Sequence, residues 1–211
     1  LVVDDDPFVR SFMVALLSSV PDITVAGEAE NGREAINKVR QQKPDLVTMD
    51  INMPVMGGLE AIEHIMRSDP LPILVITDQA DAQVAFSAVS RGALEVLPKP
   101  DLDTFNSDAF QQKIRMLAQV KVVRHIRQAS MSAASAAGNR PSAPIRETQN
   151  GAIAIAVSTG GPKTLHKLFS GLSGPLPMPI LIAQHIAEGF DDGLVKWLAD
   201  HTPMPVKIAE H

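Results

Sequence analysis

Short apolar runs alternate with amphipathic helical patterns five times between residues 1 and 127. The clearest run is Pro-Ile-Leu-Val-Ile-Thr, from Pro72 to Thr77, which is typical of a strand buried on both faces. Strands that alternate with helices form a parallel sheet, because right-handed crossovers place the helices on its two faces. The pattern therefore predicts an α/β fold, a flavodoxin-like doubly wound five-stranded parallel sheet in the order 2-1-3-4-5. Alternation predicts the second strand over Ile23 to Ala29, and helical spacing predicts the fifth helix over Asp108 to Ile126.

The composition changes after residue 128. Residues 129–150 are rich in Ala, Ser, Pro, Asn and Gly and carry almost no large apolar side chain. Such a segment cannot bury enough apolar surface to offset the entropy of ordering, so we predict a flexible linker. A long surface loop within one domain is the alternative, but structureless loops of this length are uncommon in compact domains.

The strand and helix pattern starts again at Gly151. Strands are predicted over Ala152 to Val157 and Pro179 to Gln184, and a third strand is predicted to begin at Val206. The expected organisation has three parts: a five-stranded domain over 1–128, a linker over 129–150, and the N-terminal part of a second α/β parallel-sheet domain over 151–211.

Composition excludes several classes of protein. The 211 residues are 45% hydrophobic and 20% charged, as expected for a globular chain with a proper core. A net charge of -5 argues against a nucleic-acid binder, and the absence of cysteine excludes disulfides and thiolate metal sites and fits a cytoplasmic location. No apolar run reaches 18 residues and no signal peptide is present, so membrane insertion is not expected. Because the chain begins at Leu1 inside a strand and stops just after an apolar run, we expect a fragment.

Polar side chains follow four of the predicted strands. Asp4 and Asp5 come after the first strand, Asp50 after the third, Thr77 ends the fourth, and Lys99 follows the fifth. Because ligands of open α/β sheets bind at the carboxyl ends of the strands, these side chains are expected to converge. The alternative is that each is a solvated loop residue, as most Asp and Lys are.

Carboxylates that converge repel one another unless a cation lies among them. A hard ion such as Mg²⁺ takes oxygen ligands, so Asp5 and Asp50 are expected to bind it directly. Asp4 would assist through water, and the backbone carbonyl of Asn52 would add a further oxygen.

With the metal shielding its charge, Asp50 could attack a phosphorus atom and form an acyl phosphate. Lys99 would then neutralise the phosphate oxygens, and the Thr77 hydroxyl would hydrogen-bond one of them.

These motifs resemble the receiver domain of response regulators. The matching residues are Val2 to Asp5, Asp50-Ile51-Asn52-Met53-Pro54-Val55-Met56-Gly57-Gly58, Ile76-Thr77 and Lys99-Pro100. The resemblance implies that Asp50 accepts phosphate from a histidine kinase while Asp4 and Asp5 help to bind Mg²⁺. Two residues depart from the family pattern: Asp78 stands where a small residue is usual, and Val96 where an aromatic residue often rotates on activation.

A second candidate site lies in the turn Val157-Ser158-Thr159-Gly160-Gly161-Pro162. A serine between a buried strand and a helix start can act as a nucleophile if a base is near, and His185 ends the next strand. Two alternatives compete, an ordinary N-cap formed by Ser or Thr and a nucleotide-binding turn. The nucleotide-binding turn fits poorly, because the chain has neither G-x-G-x-x-G nor a Walker lysine here, and it also lacks the G-x-S-x-G elbow of α/β-hydrolases.

The order of these motifs resembles that of the chemotaxis protein-glutamate methylesterases, from Ile155 to Pro162 and then Gln184-His185 and Phe190. The resemblance implies that Ser158 is the nucleophile and His185 the base, with no cofactor for the esterase and with the family's catalytic aspartate beyond residue 211. The fragment itself is therefore expected to be inactive.

The family activity would be hydrolysis of glutamate methyl esters on chemotaxis receptors, and deamidation of glutamines, under control of the phosphorylated receiver. An adaptor with a non-catalytic second domain is the alternative. Transcriptional output is disfavoured, since no helix-turn-helix or basic stretch follows the linker.

Overall fold

A computed structural model of the chain describes residues 1–78, 82–100, 107–122, 151–172, 174 and 176–209. The predicted linker over 129–150 lies outside these residues.

The first 100 residues contain five strands in one parallel sheet. The strands are β1 (Val2–Val3), β2 (Glu28–Ala29), β3 (Val47–Met49), β4 (Ile73–Thr77) and β5 (Glu95–Pro98). Their order is β2-β1-β3-β4-β5, and every neighbouring pair is parallel. The predicted fold class and strand order are confirmed.

Five helices connect and follow these strands. They are α1 (Pro7–Ser18), α2 (Gly32–Gln42), α3 (Gly58–Ser68), α4 (Ala82–Arg91) and α5 (Ser107–Ala118). Asp6 is the N-cap of α1, and its side chain accepts hydrogen bonds from the backbone N–H groups of Phe8 and Val9. Asn31 is the N-cap of α2, and its side chain accepts a hydrogen bond from the backbone N–H of Glu34.

Side chains that alternate along the strands enter two separate cores. Leu74 packs with Met13 and Leu117 from α1 and α5 on one face of the sheet, while Val75 packs with Ile62 and other residues of α2, α3 and α4 on the other. A strand covered on both faces must be apolar at every position, which is why the run from Ile73 has no polar residue before Thr77.

Residues 151–209 form a smaller lobe around a second parallel sheet. Strands β6 (Ile153–Val157) and β7 (Ile180–Gln184) pair over their whole length, with Val157 opposite Gln184. Two helices follow them, α6 (Gly161–Ser170) and α7 (Asp191–Ala199). We refer to residues 1–122 as the five-stranded lobe and to residues 151–209 as the two-stranded lobe.

Three predicted elements differ from the structure. Strand β2 is only two residues long, Glu28–Ala29, which pair with Val2 and Val3, and residues 23–26 form no strand. Helix α5 ends at Ala118 rather than at Ile126, which is outside the described residues. Its last turn is closed by a hydrogen bond from the Val120 N–H to the Leu117 carbonyl. The third strand predicted to begin at Val206 is not formed: among the described residues, no strand pairs with residues 206–209.

Among the helices described above, none is both long and apolar enough to span a bilayer.

Val55, in the loop between β3 and α3, adopts an unfavourable backbone conformation. Its φ is +66° and its side chain is 77% exposed, so a β-branched residue occupies the left-handed region without a compensating contact in the core. Asn tolerates this region far better, so Val55→Asn should raise the free energy of unfolding by about 1 kcal/mol. Urea unfolding followed by circular dichroism would measure the change. Val55→Ile keeps the branch and should leave the midpoint unmoved; an equal gain in both variants would contradict the strain.

Candidate functional site

Three carboxylates meet at the carboxyl ends of β1 and β3. One oxygen from each of Asp4, Asp5 and Asp50 lies within 4.8 Å of the others. Asp4 and Asp50 are each only 3% exposed, whereas Asp5 is exposed to solvent. Two buried carboxylates at this distance need a positive partner, because taking an unpaired charge out of water is costly.

Lys99, at the end of β5, supplies that charge. Its Nζ lies 3.1 Å from Oδ2 of Asp4 and 2.9 Å from Oδ2 of Asp50. Burial raises the pKa of Asp50 and of Asp4 above the ordinary carboxylate value, although hydrogen bonds, including those from Lys99, oppose the shift. Burial also pulls down the pKa of Lys99, but the hydrogen bonds and charges of Asp50 and Asp4 outweigh it, and the net shift is upward. The ammonium therefore stays charged between the two carboxylates.

The loop after Asp50 is held close to helix α3. The Ile51 N–H donates to Oδ1 of Asp50 at 2.7 Å, and the Gly58 N–H donates to the Ile51 carbonyl at 2.8 Å. A side chain at Gly58 would place its Cβ 2.0 Å from the Asp50 carbonyl oxygen, so only glycine fits there. Asn52 follows in this same loop, two residues after Asp50.

Thr77 ends β4 beside this cluster. Its hydroxyl oxygen is buried and makes no hydrogen bond of normal length and angle with the described residues, although it lies close enough to Asp50 to help lower the pKa of that carboxyl. Such an atom is destabilising unless an additional group satisfies it, and a phosphoryl oxygen would do so. The neighbouring Asp78 is exposed, and Val96 is buried in β5 opposite Val75.

Arg10, which was not predicted from the sequence, holds the acidic loop in place. Its guanidinium donates to the backbone carbonyls of Asp4 at 2.8 Å and Asp5 at 3.0 Å, and it lies 3.7 Å from Glu28. A basic residue one helical turn after an acidic cluster was the available signal, because positions four apart share a helix face.

The cluster suits a hard divalent cation. It offers carboxylate oxygens only, with no sulfur or imidazole ligand, and one of the three groups faces solvent, which leaves room for bound water. Mg²⁺ prefers this arrangement of a few carboxylates with several waters.

The second candidate site lies at the carboxyl ends of β6 and β7. Ser158 and His185 directly follow the two strands, and the His185 N–H donates to the Val157 carbonyl at 3.1 Å. Both side chains are exposed, and within the described residues they make no hydrogen bond to each other. The sheet therefore brings the predicted nucleophile and base to neighbouring positions on one edge.

Helix α6 does not use the predicted serine or threonine as its cap. Its N-cap is Gly160, with φ at +73° and no side-chain hydrogen bond to the helix. The Ser158 carbonyl instead accepts a hydrogen bond from the Gly161 N–H at 2.8 Å, which closes a tight turn. The N-cap alternative for Ser158 and Thr159 is therefore wrong, and the serine hydroxyl is left without a capping role.

A lysine of the five-stranded lobe reaches this turn, and this contact was not predicted from the sequence. Nζ of Lys113, on α5, lies 2.6 Å from Oε1 of Glu95 and 3.3 Å from Oγ1 of Thr159, the residue after Ser158. The Glu95 side chain is 12% exposed and that of Lys113 18%, so this ion pair is largely shielded from water.

Aromatic side chains pack between the two lobes. Phe86 of α4 lies edge-on to Phe190, with ring centroids 6.5 Å apart, and 5.8 Å from Trp197 of α7. A cavity of about 460 Å³ lies beside this contact, and both Lys99 and His185 line it. The carboxyl end of β5 and the base of the second site thus face one space.

Both lobes match known protein families. Residues 1–114 match the family model of the response regulator receiver domain, and residues 153–211 match that of the CheB methylesterase. The receiver domain of Thermotoga maritima CheB superimposes with a TM-score of 0.52 at 31% identity, covering 57% of this chain and 96% of that domain.

Relatives extend over the whole chain. A protein-glutamate methylesterase/protein-glutamine glutaminase of Paramagnetospirillum magneticum is 44% identical over 217 residues, covering 99% of this chain and 60% of that protein. One from Nitrosospira multiformis is 41% identical over 219 residues, covering 99% of this chain and 61% of that protein. The chain thus spans about three-fifths of the length of the curated relatives it matches. It belongs to the response regulators, with a receiver domain followed by a segment that matches the family model of the CheB methylesterase.

Proposed function

We propose that this chain is the regulatory and nucleophile-bearing part of a cytoplasmic, phosphorylation-activated protein-glutamate methylesterase. A histidine kinase would supply the phosphoryl group, and methylated chemotaxis receptors would be the substrate. The division into a receiver over 1–128, a linker over 129–150 and a catalytic segment over 151–211 is part of the same proposal. It is supported by the separate family matches at 1–114 and 153–211.

In the receiver, a carboxylate oxygen of Asp50 attacks the phosphorus atom on the phosphorylated histidine of the kinase; the P–O bond of the acyl phosphate forms as the P–N bond breaks, and the kinase histidine is released. Bound at Asp4, Asp5 and Asp50, with the Asn52 carbonyl as a further oxygen, Mg²⁺ would neutralise charge on the transferring group. Lys99 already lies 2.9 Å from the Asp50 carboxylate and would move its hydrogen bond to a phosphate oxygen. The buried Thr77 hydroxyl would donate a hydrogen bond to another phosphate oxygen.

In the catalytic segment, the Ser158 hydroxyl oxygen attacks the ester carbonyl carbon while His185 takes the hydroxyl proton. The tetrahedral intermediate collapses, and the methoxide leaves with that proton as methanol. Water then attacks the acyl-enzyme, His185 again takes a proton, and the glutamate carboxyl and the serine are released. A glutamine side chain would follow the same path with ammonia as the leaving group.

The contact that carries the regulatory part of this proposal joins Lys113 to Thr159. It places a charged side chain of the receiver against the residue next to the nucleophile, while Phe86 packs on the helix that follows the base. With this contact in place, the receiver lies against the turn that a macromolecular substrate has to approach. When Lys99 moves from the Asp50 carboxylate to a phosphate oxygen, it would shift the end of β5, the strand that also carries Glu95, the partner of Lys113.

A phosphodonor should therefore raise methanol release from methylated receptor roughly tenfold, the usual size of a coupling between two sites. The assay uses the protein extended to the full length of its relatives, with radiolabelled methyl groups on the receptor and a gas-phase count of methanol. A rate independent of the phosphodonor would contradict the regulatory role of the receiver.

The double variant Glu95→Gln with Lys113→Gln removes both charges of the contact together, so that neither is left buried alone. It should raise the unphosphorylated rate and reduce the response to the donor. Lys121→Gln, at an exposed position just after α5, serves as the matched control and should change neither.

A further inference from the structure

We propose that Gln184 is a positioning residue that ties the turn of Ser158 to the turn of His185. The inference rests on the proposed esterase activity, since it concerns the alignment of its nucleophile and base. Gln184 is the last residue of β7 and lies opposite Val157, the residue before the serine.

The side-chain amide of Gln184 bridges the two turns. Its Nε2 donates to the backbone carbonyl of Ser158 at 3.0 Å and to that of His185 at 2.8 Å. Both N–H groups of the amide are therefore used by the two residues assigned to catalysis. Neither is left over for a substrate, which makes the role one of positioning.

The chemistry of this bridge requires an amide. Two carbonyl oxygens accept only from donors, so the nitrogen must face them and the Gln184 oxygen must face the other way. That oxygen, Oε1, is buried and has no hydrogen-bond partner among the described residues. A glutamate of the same size would set a carboxylate against the carbonyls of Ser158 and His185 and would break both bonds.

Gly161 makes space for this arrangement. A Cβ at this first residue of α6 would lie 2.0 Å from Oε1 of Gln184, well inside contact distance. The Gly161 N–H also donates to the Ser158 carbonyl, so that oxygen accepts two hydrogen bonds, one from Gly161 and one from the Gln184 amide. The Gln184 amide can therefore occupy this position only because residue 161 has no side chain.

Loss of the bridge should act on the rate and leave substrate binding alone. Misplacing a reacting group by about 1 Å costs on the order of 100-fold in rate. Gln184→Ala, Gln184→Glu and Gly161→Ala should each lower kcat by roughly 10- to 100-fold, with KM changed by about twofold or less. Because Gly161→Ala acts only by displacing the amide, it should cause no further loss when Gln184 is already alanine.

The kinetic experiment measures kcat and KM for these variants in the protein extended to the full length of its relatives, after circular dichroism has shown that the variants are folded. A Gln184→Ala enzyme with the unaltered kcat, or losses that multiply in the double variant, would overturn the proposal. If Gln184→Ala fails to fold, Gln184→Glu keeps the volume of the side chain and decides the question.

Hydrogen exchange on the 211-residue chain tests the bridge without any catalysis. Gln184→Ala should speed exchange in peptides that contain the amides of Gly161 and His185, and Leu181→Met, at an exposed position on the same strand, should not. Unchanged exchange in Gln184→Ala would overturn the bridge. An unaltered protein that releases no methanol would overturn the proposed activity instead, and the exchange result would then stand as the test of the bridge.

Discussion

Ser158→Ala is expected to lower methanol release from methylated receptor by roughly 10⁴–10⁶-fold, the loss typical of removing a serine nucleophile. Alanine keeps the backbone of the turn, and the bonds from Gly161 and Gln184 reach the Ser158 carbonyl and so do not depend on the hydroxyl. The variant should fold normally and bind its substrate. The effect is measured as release of radiolabelled methanol by the protein extended to the full length of its relatives.

His185→Ala should cause a loss of similar size, and the double variant should be no worse than either single one, because the two side chains act as a unit. Ser170→Ala and His64→Ala, both at exposed positions away from the sheet edge, are the matched controls and should retain the unaltered rate. A Ser158→Ala enzyme that released methanol normally would remove the esterase mechanism and favour the adaptor alternative.

Asp50→Asn should abolish phosphorylation of the receiver. Incubation of the 211-residue chain with acetyl phosphate and Mg²⁺ should add one phosphate that hydroxylamine and base remove, as expected for an acyl phosphate. The asparagine amide is not a nucleophile, and the substitution also removes one of the three carboxylates that lie within 4.8 Å of one another. Intact-mass spectrometry before and after hydroxylamine measures the modification.

Two controls accompany this experiment. Asp45 is an exposed carboxylate before β3, at the end of the strand opposite Asp50, so the Asp45→Asn variant should be phosphorylated normally. Chelation of Mg²⁺ should slow the reaction severely, because the acidic cluster would then repel the incoming anion. Equal labelling of Asp50→Asn and the unaltered chain would contradict the assignment of Asp50.

Both candidate sites follow the same rule of parallel sheets, in which the functional side chains come just after the strands. Because that rule is local in sequence, the amino-acid sequence is enough to apply it: Asp50, Thr77 and Lys99 are each predicted from the end of an apolar run. The turns that carry Ser158 and His185 are predicted in the same way, and the parallel pairing of β6 with β7 places them side by side.

The fold of the receiver was determined by the sequence alone, because each apolar run and each helical repeat is a local pattern and the right-handed crossover leaves few ways to order the strands. The sequence alone did not determine at which residues the strands and helices begin and end. The alternation over residues 23–29 predicts a strand, but it does not show which of these residues pair with a neighbouring strand, and in the structure only Glu28 and Ala29 do.

Only the tertiary structure decided which distant side chains meet. Lys113 and Thr159 are 46 residues apart and belong to different lobes, so no periodicity connects them. Gln184 was visible in the sequence as the end of an apolar strand, but its bonds to Ser158 and His185 depend on the register of β6 against β7 and on the missing side chain of Gly161. Backbone patterns are set by neighbouring residues, whereas these contacts are set by packing between elements that are remote along the chain.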